Sequence, residues 1–216
     1  MRRVLTAVLL AAALPLTPTA HADPQTCPAV CDRIPDTAWI AARAIPLNTV
    51  YRWPRLADIA QTGAPRWRFE ELCATAPPPD DPRGYAVTGQ ATVVNPDGQW
   101  SLQAQILHWR GETWRGGQLA AQTYRAAVDT VLSCQRTSPA QSPSLTVEDG
   151  QRMAAVISGP VLAHVYLVSH PASSTVTALT LWSSAPPAVA WPILDDTRVL
   201  DALAEPLCAA YLGSCG

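Results

Sequence analysis

The chain has 216 residues, enough for one ordinary domain with an appendage. Hydrophobic residues make up 48% and charged residues 15%, a balance that excludes disorder over most of the length. The formal charge of −2 excludes nucleic-acid binding driven by phosphate neutralisation. The chain opens on an address. Arg2 and Arg3 precede an apolar run from Val4 to Leu16, and Ala20-His21-Ala22 fits a small-x-small cleavage rule. This predicts a secretory signal peptide over 1–22, because the run is too short to span a membrane. The Arg pair is compatible with either a general or a twin-Arg export route. No apolar residue stands three positions before Cys27, so a free secreted or envelope-associated protein is expected rather than a lipoprotein. Cleavage removes two Arg and no acid, leaving 13 Arg against 17 acids and a formal charge of −4. No basic patch marks a membrane surface, and no later run predicts stable membrane insertion.

All six cysteines (Cys27, Cys31, Cys73, Cys134, Cys208 and Cys215) follow the cleavage site. An even count in an exported chain reads as disulfides, and six cysteines allow 15 pairings. Local closure at each end is expected, as Cys27–Cys31 and Cys208–Cys215, with a long staple Cys73–Cys134. The spacings do not resemble a zinc knuckle, so no metal and no cofactor is expected.

The segment 23–84 is rich in Pro and Trp, with short extended pieces expected around Thr37–Ala42 and Leu47–Trp53. Trp67–Cys73 reads as a turn of helix or strand, and Pro77-Pro78-Pro79 as an extended solvated loop. Tyr85–Val94 and Trp100–Trp109 then form a β-hairpin. In the second run Trp100, Leu102, Ala104, Ile106 and His108 alternate with Ser101, Gln103, Gln105 and Leu107. Asn95-Pro96-Asp97-Gly98 supplies the turn. Gly116-Gly117 is expected to break the strand before a helix over Gln118–Gln135. Ser138–Ser144 reads as a Pro/Ser loop. Three strands follow, at Met153–Ser158, Leu162–Ser169 and Thr175–Trp182. Asp195 or Asp196 caps a helix carrying Val199, Leu200 and Leu203, and Pro206 opens a second short one to Tyr211. The order predicts an α+β fold: a mostly antiparallel twisted sheet with helices packed on one face, disulfide-stapled, forming a single domain over 23–216.

The chemistry is sparse. No nucleophile elbow or phosphate-binding glycine loop occurs. The acidic pairs Glu70-Glu71, Asp80-Asp81, Glu148-Asp149 and Asp195-Asp196 are adjacent in sequence, which on a strand points them apart. His108 and His164 fall within strand patterns. The distinctive feature is Trp beside Arg, densest over His108–Gly117. Trp109, Arg110, Glu112, Trp114 and Arg115 are therefore the ligand-site candidates, since aromatic faces stack on ligands and Arg forks hold anions. The alternative role is core packing, because with Phe69 the sole Phe the eight Trp must supply large apolar side chains.

The Gly116-Gly117 turn, the helix ending in Val131-Leu132-Ser133-Cys134, the paired strands Leu162–Ser169 and Thr175–Trp182, and a last helix with Cys208 resemble a known family. It is the extracellular sensor domain of mycobacterial receptor serine/threonine kinases, also found in secreted proteins without a kinase. The resemblance covers roughly Tyr85–Cys215. It implies a disulfide-stapled α+β fold with a ligand-binding cleft and no catalytic residues. The Arg-only, Ala- and Pro-rich composition also fits a GC-rich actinobacterial source. The leading expectation is a secreted, non-enzymatic, sensor-like protein that binds an unknown small molecule or cell-envelope component near Trp109–Arg115. A secreted hydrolase using His108 or His164 and a module docking on another secreted protein are the alternatives.

Overall fold

A computed structural model describes residues 31–212 and 214. Its centre is a six-stranded, fully antiparallel sheet in the order β1-β2-β6-β5-β4-β3. The expected hairpin is β1 (Val87–Val93) and β2 (Ser101–His108), paired from Val87↔His108 to Val93↔Leu102. At its turn Gln99 N–H donates to Pro96 O, and Gly98 takes the left-handed conformation at φ +78°. Pro96 thus stands first in the turn, and Gly98 occupies the position where a Cβ would be strained. The expected strands are β4 (Arg152–Ser158), β5 (Val161–His170) and β6 (Thr175–Ser184). β6 pairs with both β2 and β5, which joins the two hairpin systems.

Side-chain alternation divides two cores between the sheet's faces. Leu102, Ala104 and Ile106 of β2, Tyr166 and Val168 of β5, and Leu179 and Leu181 of β6 point to one face. There they meet Val199, Leu200, Leu203 and Leu207 of the C-terminal helix and Trp39, Ile40, Trp53 and Leu56 of the N-terminal segment. Leu107, Val165, Leu167, Val176 and Ala178 point to the other face. They meet Ala120, Tyr124, Ala127 and Val131 of the central helix, with Trp67 and Phe69. The α+β class is as expected, but helices cover both faces rather than one. The reason lies in the strands. β5 and β6 are buried along almost their whole length, so each face has apolar surface to remove from water.

Other differences are local. Of the N-terminal pieces expected to be extended, Leu47–Trp53 holds a one-turn helix, α1 (Asn48–Tyr51), and Thr37–Ala42 runs between two 3-10 turns, Asp36–Ala38 and Ala42–Ala44; a further one-turn helix, α2 (Leu56–Ile59), follows. Trp67–Cys73 resolves as a helical turn, α3 (Arg68–Leu72), stabilised when Glu70 Oε2 accepts from Trp67 N–H at 2.9 Å. Ser142–Glu148 is a strand, β3, not the tail of a loop. It lies at the sheet's edge, where Pro143 is tolerated, and its burial alternates along its length. The central helix α4 spans Thr113–Thr137 and takes in Gly116-Gly117. These glycines are not a break. A Cβ on Gly116 would lie 2.4 Å from Ser174 Cβ, and one on Gly117 2.9 Å from Pro171 O. They let the helix start pack directly on the β5–β6 connection. The last helix, α5 (Asp196–Ala210), is continuous through Pro206 rather than two helices.

Cys73 and Cys134 form the expected staple across a sequence separation of 61. Cys31 and Cys208 are also disulfide-bonded. Cys27 and Cys215, the other halves of the expected end closures, lie outside the described residues, as does the signal segment. Among the described residues no helix is long and apolar enough to cross a membrane.

Candidate functional site

The Trp–Arg segment divides between core and surface. Trp109 is 2% exposed; its Nε1 donates to Pro82 O at 2.9 Å, and its backbone N–H donates to Ser174 O. It is an anchor. The same holds for Trp39, Trp53, Trp67 and Trp100, so five of the eight Trp serve the core that Phe would ordinarily fill. After Trp109 the chain turns outward through Gly111, at φ +103°, and enters α4 behind Glu112. Trp114 is 64% exposed, and its Nε1 donates to Glu112 Oε2 at 2.9 Å. These two pair with each other and do not line the groove that their neighbours border. Arg110 and Arg115 do. With Tyr85, Gly111, Leu119 and the edge of Trp109 they border an open groove of about 700 Å³. Neither guanidinium forms an ion pair among the described residues. The candidate site thus reduces to Arg110 and Arg115 over a Trp109 floor, with the exposed ring of Tyr85 beside them.

Both strand histidines are buried. His108 Nδ1 lies 3.0 Å from Ser173 O and 3.2 Å from Thr175 Oγ1, and its ring stacks on Tyr211 at 4.3 Å. His164 packs face to face with Trp191 at 3.6 Å, with Trp100 tilted against it at 5.7 Å. Burial pushes His164 down to about 4, against a smaller upward pull from Asp196. The consequence for stability has a definite sign. Between pH 6.5 and 4 the unfolded chain takes up a proton that the folded chain refuses. Folding therefore loses stability as pH falls through that window, by about 3 kcal/mol in total, and the loss levels off below about pH 4. Urea titrations at pH 7, 5.5 and 4 will show the loss, and His164→Phe will remove most of it. A variant as pH-sensitive as the wild type would refute the assignment to His164.

A second cleft carries no signal of the Trp–Arg kind. The loop after α3 and the turn Pro82–Tyr85 face α4 across a trough of about 810 Å³. Its floor holds Trp67, Ala127 and a buried charge cluster. The Arg83 guanidinium donates to both Asp81 oxygens and to Glu70 Oε2, at 2.6–2.9 Å, stands 2.8 Å from Glu70 Oε1 as an ion pair, and lies over the Trp67 ring. Burial alone would lower the Arg83 pKa. The hydrogen bonds to Asp81 and Glu70 outweigh it and hold the group above its ordinary value. Asp81 accepts from Arg83 N–H at 3.0 Å and caps the turn that Pro82 opens. The pairing with Glu70, 13 residues away, has no local sequence signature.

Among the described residues no group of three His, Cys, Asp or Glu could hold a metal ion. No family model matches the chain, and neither a curated protein nor a solved structure matches it.

Proposed function

We propose that this protein is a secreted, non-enzymatic binding protein that captures an anionic small molecule or envelope component in the groove at Arg110 and Arg115. The observation that carries the reading is the pair of guanidiniums, free of ion pairs among the described residues, on one groove beside the exposed Tyr85 ring. A guanidinium fork matches the geometry of phosphate and carboxylate, and an aromatic face holds an apolar or ring-bearing body. The Cys73–Cys134 disulfide and the absence of a membrane-spanning helix among the described residues support the extracellular part. The sensor-domain resemblance supports a binding role.

The test is a titration of Trp fluorescence with inorganic phosphate, phenyl phosphate and a short-chain anionic phospholipid below its micelle concentration. Trp109 edges the groove and reports occupancy. Phenyl phosphate or the phospholipid should saturate the signal, and Arg110→Ala with Arg115→Ala should weaken binding about tenfold without moving Tm. Trp114→Ala should leave affinity unchanged, because its ring lies outside the groove. Failure of all three probes to saturate, or indifference to the double Arg variant, would overturn the proposal.

A further inference from the structure

The trough between the Pro loop and α4 shares no lining residue with the Arg110–Arg115 groove and has the opposite charge. We infer that it is a second binding site, for an apolar-bodied ligand with one cationic head. Four observations converge. First, its volume of about 810 Å³ lies in the range of small-molecule sites. Second, its walls are held in place before any ligand arrives. Pro78 and Pro79 stiffen one wall, and the Cys73–Cys134 disulfide ties that wall's root to α4. Thr137 Oγ1 adds a hydrogen bond to Cys73 O at 2.6 Å. Such a site needs little ordering on binding.

Third, the lining carries four acids, Glu70, Asp80, Asp81 and Asp129, against Arg83 and Arg136. On the floor two carboxylates share one guanidinium, leaving an excess negative charge where water is scarce. At the rim the exposed Asp80 and Asp129 form no ion pair among the described residues. A cation is the complement to that field. Fourth, Thr123 lines the trough, is 3% exposed, and its hydroxyl has no hydrogen-bond partner. A buried polar group without a partner is unfavourable, and a polar atom on a ligand would relieve it. The apolar body is met by Trp67, the prolines, Ala126 and Leu132, which is 60% exposed at the rim with no apolar cover from its own chain.

Calorimetric titration of the whole mature protein with decylammonium, decanoate and decyl maltoside, each below its micelle concentration, tests this. The cation should bind at one per chain and about tenfold more tightly than decanoate. Asp80→Asn with Asp129→Asn, both at exposed positions, should abolish that preference. Ala126→Trp, also exposed, should fill the trough and remove binding while Tm holds. Arg110→Ala with Arg115→Ala should leave the cation's affinity unchanged, which separates this site from the groove. No saturable binding of the cation, equal affinity for cation and anion, or binding that survives Ala126→Trp would each overturn the inference.

Discussion

Replacing Arg83 by alanine lowers the stability of the fold by about 3–5 kcal/mol, the usual result of removing one partner from a buried ion pair. The arrangement makes this loss large. The Arg83 side chain is 4% exposed, with Glu70 at 8% and Asp81 at 17%. Remove the guanidinium and both carboxylates lose their counter-charge in a site from which water is largely excluded. Glu70 would keep a hydrogen bond from Trp67 N–H, and Asp81 one from the residue-83 backbone N–H. These bonds orient the carboxylates but do not neutralise them. Arg83→Lys should fall between wild type and alanine, because an ammonium keeps the charge but cannot fork across two carboxylates. Adding Glu70→Gln and Asp81→Asn to Arg83→Ala should recover part of the loss, since the unpaired charges are then gone. Urea unfolding of the four proteins decides the matter. A loss below about 1 kcal/mol for Arg83→Ala, or no recovery in the triple variant, would mean the carboxylates are solvated and the cluster is a surface feature.

The Glu70–Arg83–Asp81 cluster also marks where sequence reading stops. The hairpin was legible because the alternation from Trp100 to His108 and the Pro96–Gly98 turn are local, and the pairing follows from the turn. The central helix was legible through its Ala-rich, Pro-free run. Its start was not, because Gly116 and Gly117 read as a break until Ser174 and Pro171 are seen against them. A glycine required for close approach and a glycine required for a turn look the same in a sequence. β3 was hidden for a related reason. Pro143 argues against a strand unless the strand is an edge, and edge position is a property of the whole sheet. The N-terminal segment has no period at all. Its Trp39, Trp53 and Leu56 are held by the face of a sheet formed far along the chain.

The structure brings together only some of the residues singled out between His108 and Gly117. Arg110 and Arg115 stand on one groove, as their clustering implied, but Glu112 and Trp114 turn away to satisfy each other. For Trp114 and Arg115 helix geometry decides this once α4 is known to begin at Thr113, since residues one apart on a helix do not share a face. The trough was not legible. Its walls are 76–83 and 122–136, joined only by pairings between distant residues. Of these the Cys73–Cys134 bond alone was inferred, and that came from counting cysteines, not from any sign of a cleft.

That bond sets the other large effect. Cys73→Ala with Cys134→Ala should destabilise the protein by about 4 kcal/mol, the chain-entropy value for a separation of 61 residues. For a chain of this size this is a fall in Tm of roughly 10 °C. The effect belongs mainly to the unfolded state. The bond forbids that state every arrangement in which α3 drifts away from α4, and cutting it restores them. Loss of two buried sulfurs adds only a small packing penalty, since alanine fills most of the space and Thr137 still bonds the Cys73 carbonyl. Two signatures separate these causes. If the unfolded chain expands, the urea m-value rises along with the loss of stability. If packing dominates, m stays constant and each single alanine variant accounts for half the loss. In the entropic case either single variant cuts the bond, so each costs nearly as much as the double and the pair is strongly non-additive. A double variant within about 1 kcal/mol of wild type would show that residual contacts between these two segments in the unfolded chain already restrict it as the disulfide does.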